Sequence, residues 1–235
     1  KADSVDLDMR FNWETPFFLS PHNPDVFYMA GNRVLKSTQR GDNLYAISPD
    51  LSKKNWAKID TSLIWTGGIT LDATGAETYG TVVALQESYV TPGYIMAGTD
   101  DGNIWVTKND GASWEQVPIS RFAGVPQTGD IYVSRVEPSH FDKDTWYVSF
   151  DNHRQNDFTP YLYVTTDGGK SFRSLASDLP KESTADFVHV VREDPTSRDL
   201  LYVGTSRAVY VSLNRGTNWQ RFSSGMPTTP VYDLK

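Results

Sequence analysis

The residues best equipped for chemistry lie in two short polar stretches and at the ends of a few apolar runs. Asp100-Asp101-Gly102-Asn103 and Asp151-Asn152-His153-Arg154-Gln155-Asn156-Asp157 concentrate carboxyls, amides, a histidine and an arginine. Arg135, Glu137, Arg192 and Glu193 close two apolar runs, with His189 nearby. Two carboxyls about 5–5.5 Å apart suit a retaining glycosidase, and about 6.5–9.5 Å an inverting one. Asp100, Asp101, Glu137, Asp151, Asp157 and Glu193 can supply such a pair, and nothing in the sequence selects one. Each stretch also has a plainer reading. Asp-Asp-Gly-Asn is the favoured chemistry of a tight hairpin, and 151–157 also reads as a solvated loop. That second stretch is longer than a two-residue turn requires, which makes it the better candidate for ligand contact or docking.

Other chemistries find less support. Cysteine is absent, so disulfides and thiolate metal sites are excluded. The four histidines lack the His/acid spacing of zinc sites, and neither metal nor cofactor is expected. His22 and His140 fall in equivalent turns and read as solvent-facing caps. No Gly-x-Ser-x-Gly and no phosphate loop occurs. A net charge of −7 argues against nucleic acid as a general partner. No run of about 18 apolar residues is long enough for a membrane span. No signal peptide is visible, and the chain reads as a mature or excised piece.

The elements that must position these residues announce themselves by repetition. Four copies of one turn pattern occur: Ser37-Thr38-Gln39-Arg40-Gly41-Asp42-Asn43-Leu44, Thr107-Lys108-Asn109-Asp110-Gly111-Ala112-Ser113-Trp114, Thr165-Thr166-Asp167-Gly168-Gly169-Lys170-Ser171-Phe172 and Ser212-Leu213-Asn214-Arg215-Gly216-Thr217-Asn218-Trp219. The frame is a hydroxyl, then Asp/Asn/Gln, then Gly, then a hydroxyl or amide before a large apolar residue. The third residue can accept backbone N–H groups, and the glycine supplies a positive φ. The pattern is therefore a latched hairpin with a structural role. Its copies are spaced by 70, 58 and 47 residues, so the extra length sits in loops, chiefly 45–80.

Upstream of each box come three further apolar runs, for example Val188–Glu193, Leu200–Thr205 and Ala208–Val211, bounded by turn residues. Each unit is thus a four-stranded antiparallel blade. The reading is an all-β propeller of about four blades, spanning approximately 11–60, 80–120, 130–178 and 186–223. Residues 229–235 look like the first strand of a fifth blade, leaving an incomplete ring. Trp105, Trp114, Trp146 and Trp219 belong to strands or latch ends and are expected in the core; Trp56 and Trp65 lie in the long insertion and suit a surface role.

The boxes resemble the Asp-box repeat of bacterial neuraminidases, although only Asp167 keeps the acid and Gln39 and Leu44 make the first copy degenerate. Further stretches, including Phe11-Asn12-Trp13-Glu14-Thr15-Pro16, Gly98-Thr99-Asp100-Asp101-Gly102-Asn103 and His189-Val190-Val191-Arg192-Glu193-Asp194-Pro195, resemble large bacterial secreted proteins with sortilin-type, Asp-box propellers. The resemblance implies a propeller and an exported, extracellular or periplasmic location; it does not imply an activity. A sialidase would also need three arginines clamping a carboxylate. Arg135 and Arg192 look like equivalent inner-strand positions, but no third arginine matches, and the Phe/Tyr-Arg-Ile-Pro signature is missing. In such propellers the latches occupy one face and ligands use the other with the channel. That expectation puts Asp100, Asp101, Asn103, Asp151, Asn152, His153, Arg154, Asp157, Arg135, Arg192 and His189 on the functional face. The leading expectation is a non-catalytic scaffold or interaction module, completed by a protein partner or further polypeptide and open to a carbohydrate or peptide ligand. The alternative is a glycoside hydrolase.

Overall fold

The computed structural model describes residues 9–61, 78–181 and 186–235. Trp65, and the Gly67-Gly68 and 74–77 segments of the insertion, lie outside the described residues. Four antiparallel sheets of four strands each follow one another along the chain. They are β1 (Phe17–Leu19) to β4 (Tyr45–Ala46), β5 (Val82–Glu87) to β8 (Glu115–Val117), β9 (Tyr132–Pro138) to β12 (Arg173–Ser174), and β13 (Val188–Glu193) to β16 (Gln220–Phe222). Within each sheet the strands pair in sequence order, as short hairpin connections require. This is a β-propeller arrangement. One short helix, α1 (Trp56–Thr61), lies in the insertion after the first sheet.

Valines, isoleucines and aromatics of the first three strands of each sheet pack between successive blades. Tyr28, Ala30 and Val34 meet Val82, Leu85, Ile95 and Ala97. Met96, Ile104 and Val106 meet Val133, Val136, Trp146 and Phe150. Tyr147, Leu162 and Val164 meet Val188, Val191 and Val203. Close approach is built in at Gly98, where an added Cβ would lie 2.7 Å from Val133 Cβ.

The boxes are hydrogen-bonded latches. The first hydroxyl accepts the glycine N–H in all four: Gly41 to Ser37 at 3.1 Å, Gly111 to Thr107 at 3.0 Å, Gly169 to Thr165 at 3.0 Å and Gly216 to Ser212 at 2.8 Å. The Oδ1 of Asn109, Asp167 and Asn214 accepts the N–H four residues on, at 2.9, 3.0 and 2.9 Å. In the degenerate copy Gln39 is too long for this and instead bonds the Asn43 side chain. Each box aromatic then crosses to the preceding blade. Trp114 Nε1 donates to Ile47 O and Trp219 Nε1 to Leu175 O, both at 2.8 Å, while Phe172 packs on Phe122 at 4.1 Å. Trp146 and Trp219 are buried; Trp105 and Trp114 are partly buried; Trp56 is half exposed.

Candidate functional site

Each box also bonds the turn after its own inner strand, for example Asp110 N–H to Gly93 O and Gly168 N–H to Asp144 O, both at 2.9 Å. Boxes and inner-strand turns therefore share one end of the blades, and the second-to-third strand turns share the other. The larger concavity, about 850 Å³, is lined at the box end by Tyr89, His140 and Asp194. Its walls are β1, with Phe17 and Phe18, and the fourth sheet, with Tyr202, Val209 and Phe222. A pocket of about 110 Å³ lies on the expected functional face, lined by Asp100, Asp151, Asn152 and Arg154 among others. The larger concavity lies in the open sector between the first and fourth blades, and the predicted residues Arg135, Glu137, Arg192 and Glu193 line it.

Asp100 and Asp101, expected on the functional face, are buried and fasten the hairpin to its surroundings. Asp100 accepts the N–H groups of Gly80, at 3.1 Å, and Thr81, at 2.9 Å, so it ties the entry of β5 to the turn between the second and third strands of its blade. Asp101 accepts Lys53 N–H at 2.7 Å and Thr99 Oγ1–H at 2.5 Å. Burial pushes both carboxyls upward, and for Asp100 the charge of Asp101 adds to it. Asn103 is also buried, donating to Leu51 O.

The 151–157 loop is closed upon itself. Asp151 Oδ1 accepts His153 N–H at 3.0 Å and lies 2.6 Å from its Nδ1. Asp157 Oδ2 accepts Asn152 Nδ2–H at 2.9 Å and the Tyr161 hydroxyl at 2.7 Å. Burial pushes the Asp157 carboxyl up, but these bonds outweigh it and hold it below the usual range. His153 stacks on Phe187 at 4.6 Å, and the Arg154 guanidinium lies 4.7 Å over the Tyr132 ring. Asp151 and Asn152 are buried, so Arg154, Gln155 and Asn156 are what this loop presents to solvent. His189, between Phe187 and Tyr232, has its imidazole pKa lowered by burial.

The register overturns the equivalence of Arg135 and Arg192. Arg135 pairs with Ser149 and Arg192 with Tyr202; the residue opposite Tyr147, the counterpart of Tyr202, is Glu137. Arg192 therefore stands at the Glu137 position, two residues along from Arg135. The two arginines still converge on one buried acid. Arg192 donates to Glu137 Oε2 at 2.6 Å, and Arg135 Nε reaches the same oxygen at 3.4 Å. Burial pushes the Glu137 carboxyl up to about 8, against the pull of the Arg135 charge. Arg192 also holds Asp233 at 2.7 Å and Leu234 O at 2.9 Å.

Glu193 is an inter-blade strut. Its Oε2 accepts Ser139 Oγ–H at 2.7 Å and His140 N–H at 2.6 Å, and its Oε1 accepts the Tyr147 hydroxyl at 2.9 Å. Glu87 does the same job at the interface of the first and second blades, taking the Ser20 hydroxyl and Gly93 N–H. Sequence reading missed Glu87. Aligning the turn of Ser88 with that of Asp194, whose N–H groups make equivalent bonds to Tyr94 O and Leu200 O, sets Glu87 beside Glu193. His140 is likewise no solvent-facing cap: it stacks on Tyr89 at 3.8 Å and is half-buried. His22 is exposed, with Nε2 2.7 Å from Ser88 O. Among the described residues no group of three His, Asp or Glu could hold a metal, and no helix is long and apolar enough to cross a membrane.

No protein-family model matches the chain, and no curated protein matches it. Solved structures do. An ancestral GH74 enzyme superposes with a TM-score of 0.60 at 17% identity, over 92% of this chain and 24% of that one. The GH74 xyloglucanase from Xanthomonas campestris gives 0.59 at 18%, over 88% and 29%. The GH74 enzyme of Niastella koreensis gives 0.59 at 16%, over 92% and 31%. The chain spans about a quarter to a third of these enzymes' length. At such identities the likeness establishes the β-propeller fold alone.

Proposed function

We propose that the chain is a non-catalytic propeller module that binds polypeptide through its open sector. One observation carries this reading. Phe17 and Leu19 are 70% and 53% exposed, whereas their register equivalents Leu85 and Glu87 in the second blade are 7% and 1% exposed. Every later blade buries these positions against its predecessor; in the first, both are exposed and Phe17 lines the cavity. Phe222 and Met226 on the far wall are 51% and 38% exposed. Exposed apolar side chains lining one concavity suit a binding site, and covering a Phe fully is worth about 1.5–3 kcal/mol. The resemblance to exported Asp-box propellers leads us to propose an extracellular or periplasmic setting, which cell fractionation tests.

A glycoside hydrolase is the second reading, favoured by Glu137 lining the cavity with its carboxyl pushed up by burial to about 8, and by a fold shared with GH74 enzymes. Against it, the acids here are committed: Glu193 to three donors, Glu137 and Asp233 to Arg192. A photo-crosslinking residue at Phe17, and separately at Phe222, distinguishes the readings in the native host. Both positions are expected to trap one defined polypeptide. Release of reducing ends from xyloglucan by the purified chain, abolished in Glu137→Gln, would overturn the scaffold reading.

A further inference from the structure

The smaller pocket, at the end of the blades away from the boxes, holds two charges of opposite sign that the protein itself leaves unmatched. We propose that it binds a small α-amino acid as its zwitterion, the ammonium on Asp151 and Asn152 and the carboxylate on Arg154. The site goes beyond the open-sector reading and does not depend on it, because the two cavities share no lining residue.

Most polar groups of the pocket are already spent. Asp130 takes Lys53 Nζ at 3.2 Å, and also the Lys58 ammonium and the Tyr79 hydroxyl. Asp100 has both oxygens filled by the N–H groups of Gly80 and Thr81 and by the Thr81 hydroxyl. The Tyr132 hydroxyl donates to Glu14 Oε2 at 2.6 Å.

Three groups remain. Asp151 is 4% exposed, and its Oδ1 takes both bonds from His153, while Oδ2 meets no donor among the described residues. Asn152 is 5% exposed; its Nδ2 is spent on Asp157, and its Oδ1 likewise meets no donor among the described residues. The Arg154 guanidinium stacks over Tyr132 at 4.7 Å but has no acceptor among the described residues. All three residues line the pocket.

Electrostatics decides between ligand classes. A ligand that expels water from this space must replace the solvation of both ions, since a buried charge without a partner is costly. A neutral sugar would leave both uncompensated, and a simple amine would leave the guanidinium so. A zwitterion matches both. Its ammonium offers three donors to the two oxygens, and its carboxylate fits the guanidinium fork. Drug-sized ligands occupy about 300–1,000 Å³, so a pocket of about 110 Å³ restricts the side chain to a few carbons. Both partners are also positioned in advance: Asp151 by His153, itself stacked on Phe187 at 4.6 Å, and Arg154 by the Tyr132 ring. Such preorganisation lowers the ordering cost of binding.

Calorimetric titration of the 235-residue chain with L-alanine tests this. One site per chain should fill, and N-acetyl-L-alanine and L-alaninamide, each lacking one charge, should bind at least tenfold more weakly. Arg154→Gln alters an exposed side chain; it should weaken L-alanine at least tenfold and leave L-alaninamide unchanged. Asp151→Asn should weaken L-alanine at least tenfold and leave N-acetyl-L-alanine unchanged. If that variant fails to fold, Arg154→Gln and the two capped analogues still decide. No binding of glycine, L-alanine or L-valine would overturn the proposal, as would capped analogues binding as well as L-alanine or an undiminished affinity in Arg154→Gln. Methyl glucoside binding in preference to L-alanine would also overturn it, assigning the pocket to a neutral saccharide.

Discussion

Replacing Glu193 by Ala should be among the most destabilising single changes in the chain. The carboxylate is 3% exposed and takes three donors, from Ser139, His140 and Tyr147. Alanine leaves all three without an acceptor inside the interface between third and fourth blades. An unsatisfied buried donor costs about 1–3 kcal/mol. The hydroxyls of Ser139 and Tyr147 can turn toward other acceptors, but the His140 N–H cannot. The net loss should be about 3–5 kcal/mol, which for a chain of this size lowers Tm by roughly 10 °C. Urea unfolding followed by tryptophan fluorescence measures it. In a double-mutant cycle, Ser139→Ala combined with Glu193→Ala should cost less than the sum of the two by about 1 kcal/mol, because the residues share one bond. A loss under about 1 kcal/mol, or strict additivity, would refute the strut.

Three further outcomes follow from the packing and charge. Burial raises the Glu137 carboxyl from 4.5 to about 8, so the folded chain favours its protonated form. The resulting stability is full below about 4.5 and is lost as pH rises toward 8; Glu137→Gln should therefore gain on the wild type over that window, by up to ~1.4 kcal/mol per pH unit. Parallel stability curves would contradict this. Gly98→Ala should cost about 1–3 kcal/mol by overpacking, since its Cβ would lie 2.3 Å from Val133 Cγ1; an unchanged urea midpoint would show that the blades can part freely. Asp167→Asn should leave Tm within a few degrees, because Asn109 and Asn214 make the same latch bond; a larger fall would mean that the charge itself is needed.

Blade number, strand order and latch chemistry were legible in the chain alone because they are local. A box closes through bonds spanning four residues, such as Gly111 N–H to Thr107, and a strand declares itself by alternation over a few positions. The fate of the acids was not legible. Whether Asp100 faces solvent depends on Gly80, 20 residues away; Glu193 depends on Ser139, 54 away; and Asp101 on Lys53, 48 away. No periodicity encodes such partners. The same limit explains the misalignment of Arg192 with Arg135: each belongs to a similar Val-rich run ahead of a Pro turn, and only the cross-strand partners Tyr202 and Ser149 reveal the two-residue offset. By itself, then, the sequence determined that this is a latched, bladed propeller. The tertiary structure alone decided which polar residues hold the blades together and where an unfilled surface is left, because burial is a property of neighbours brought together by folding.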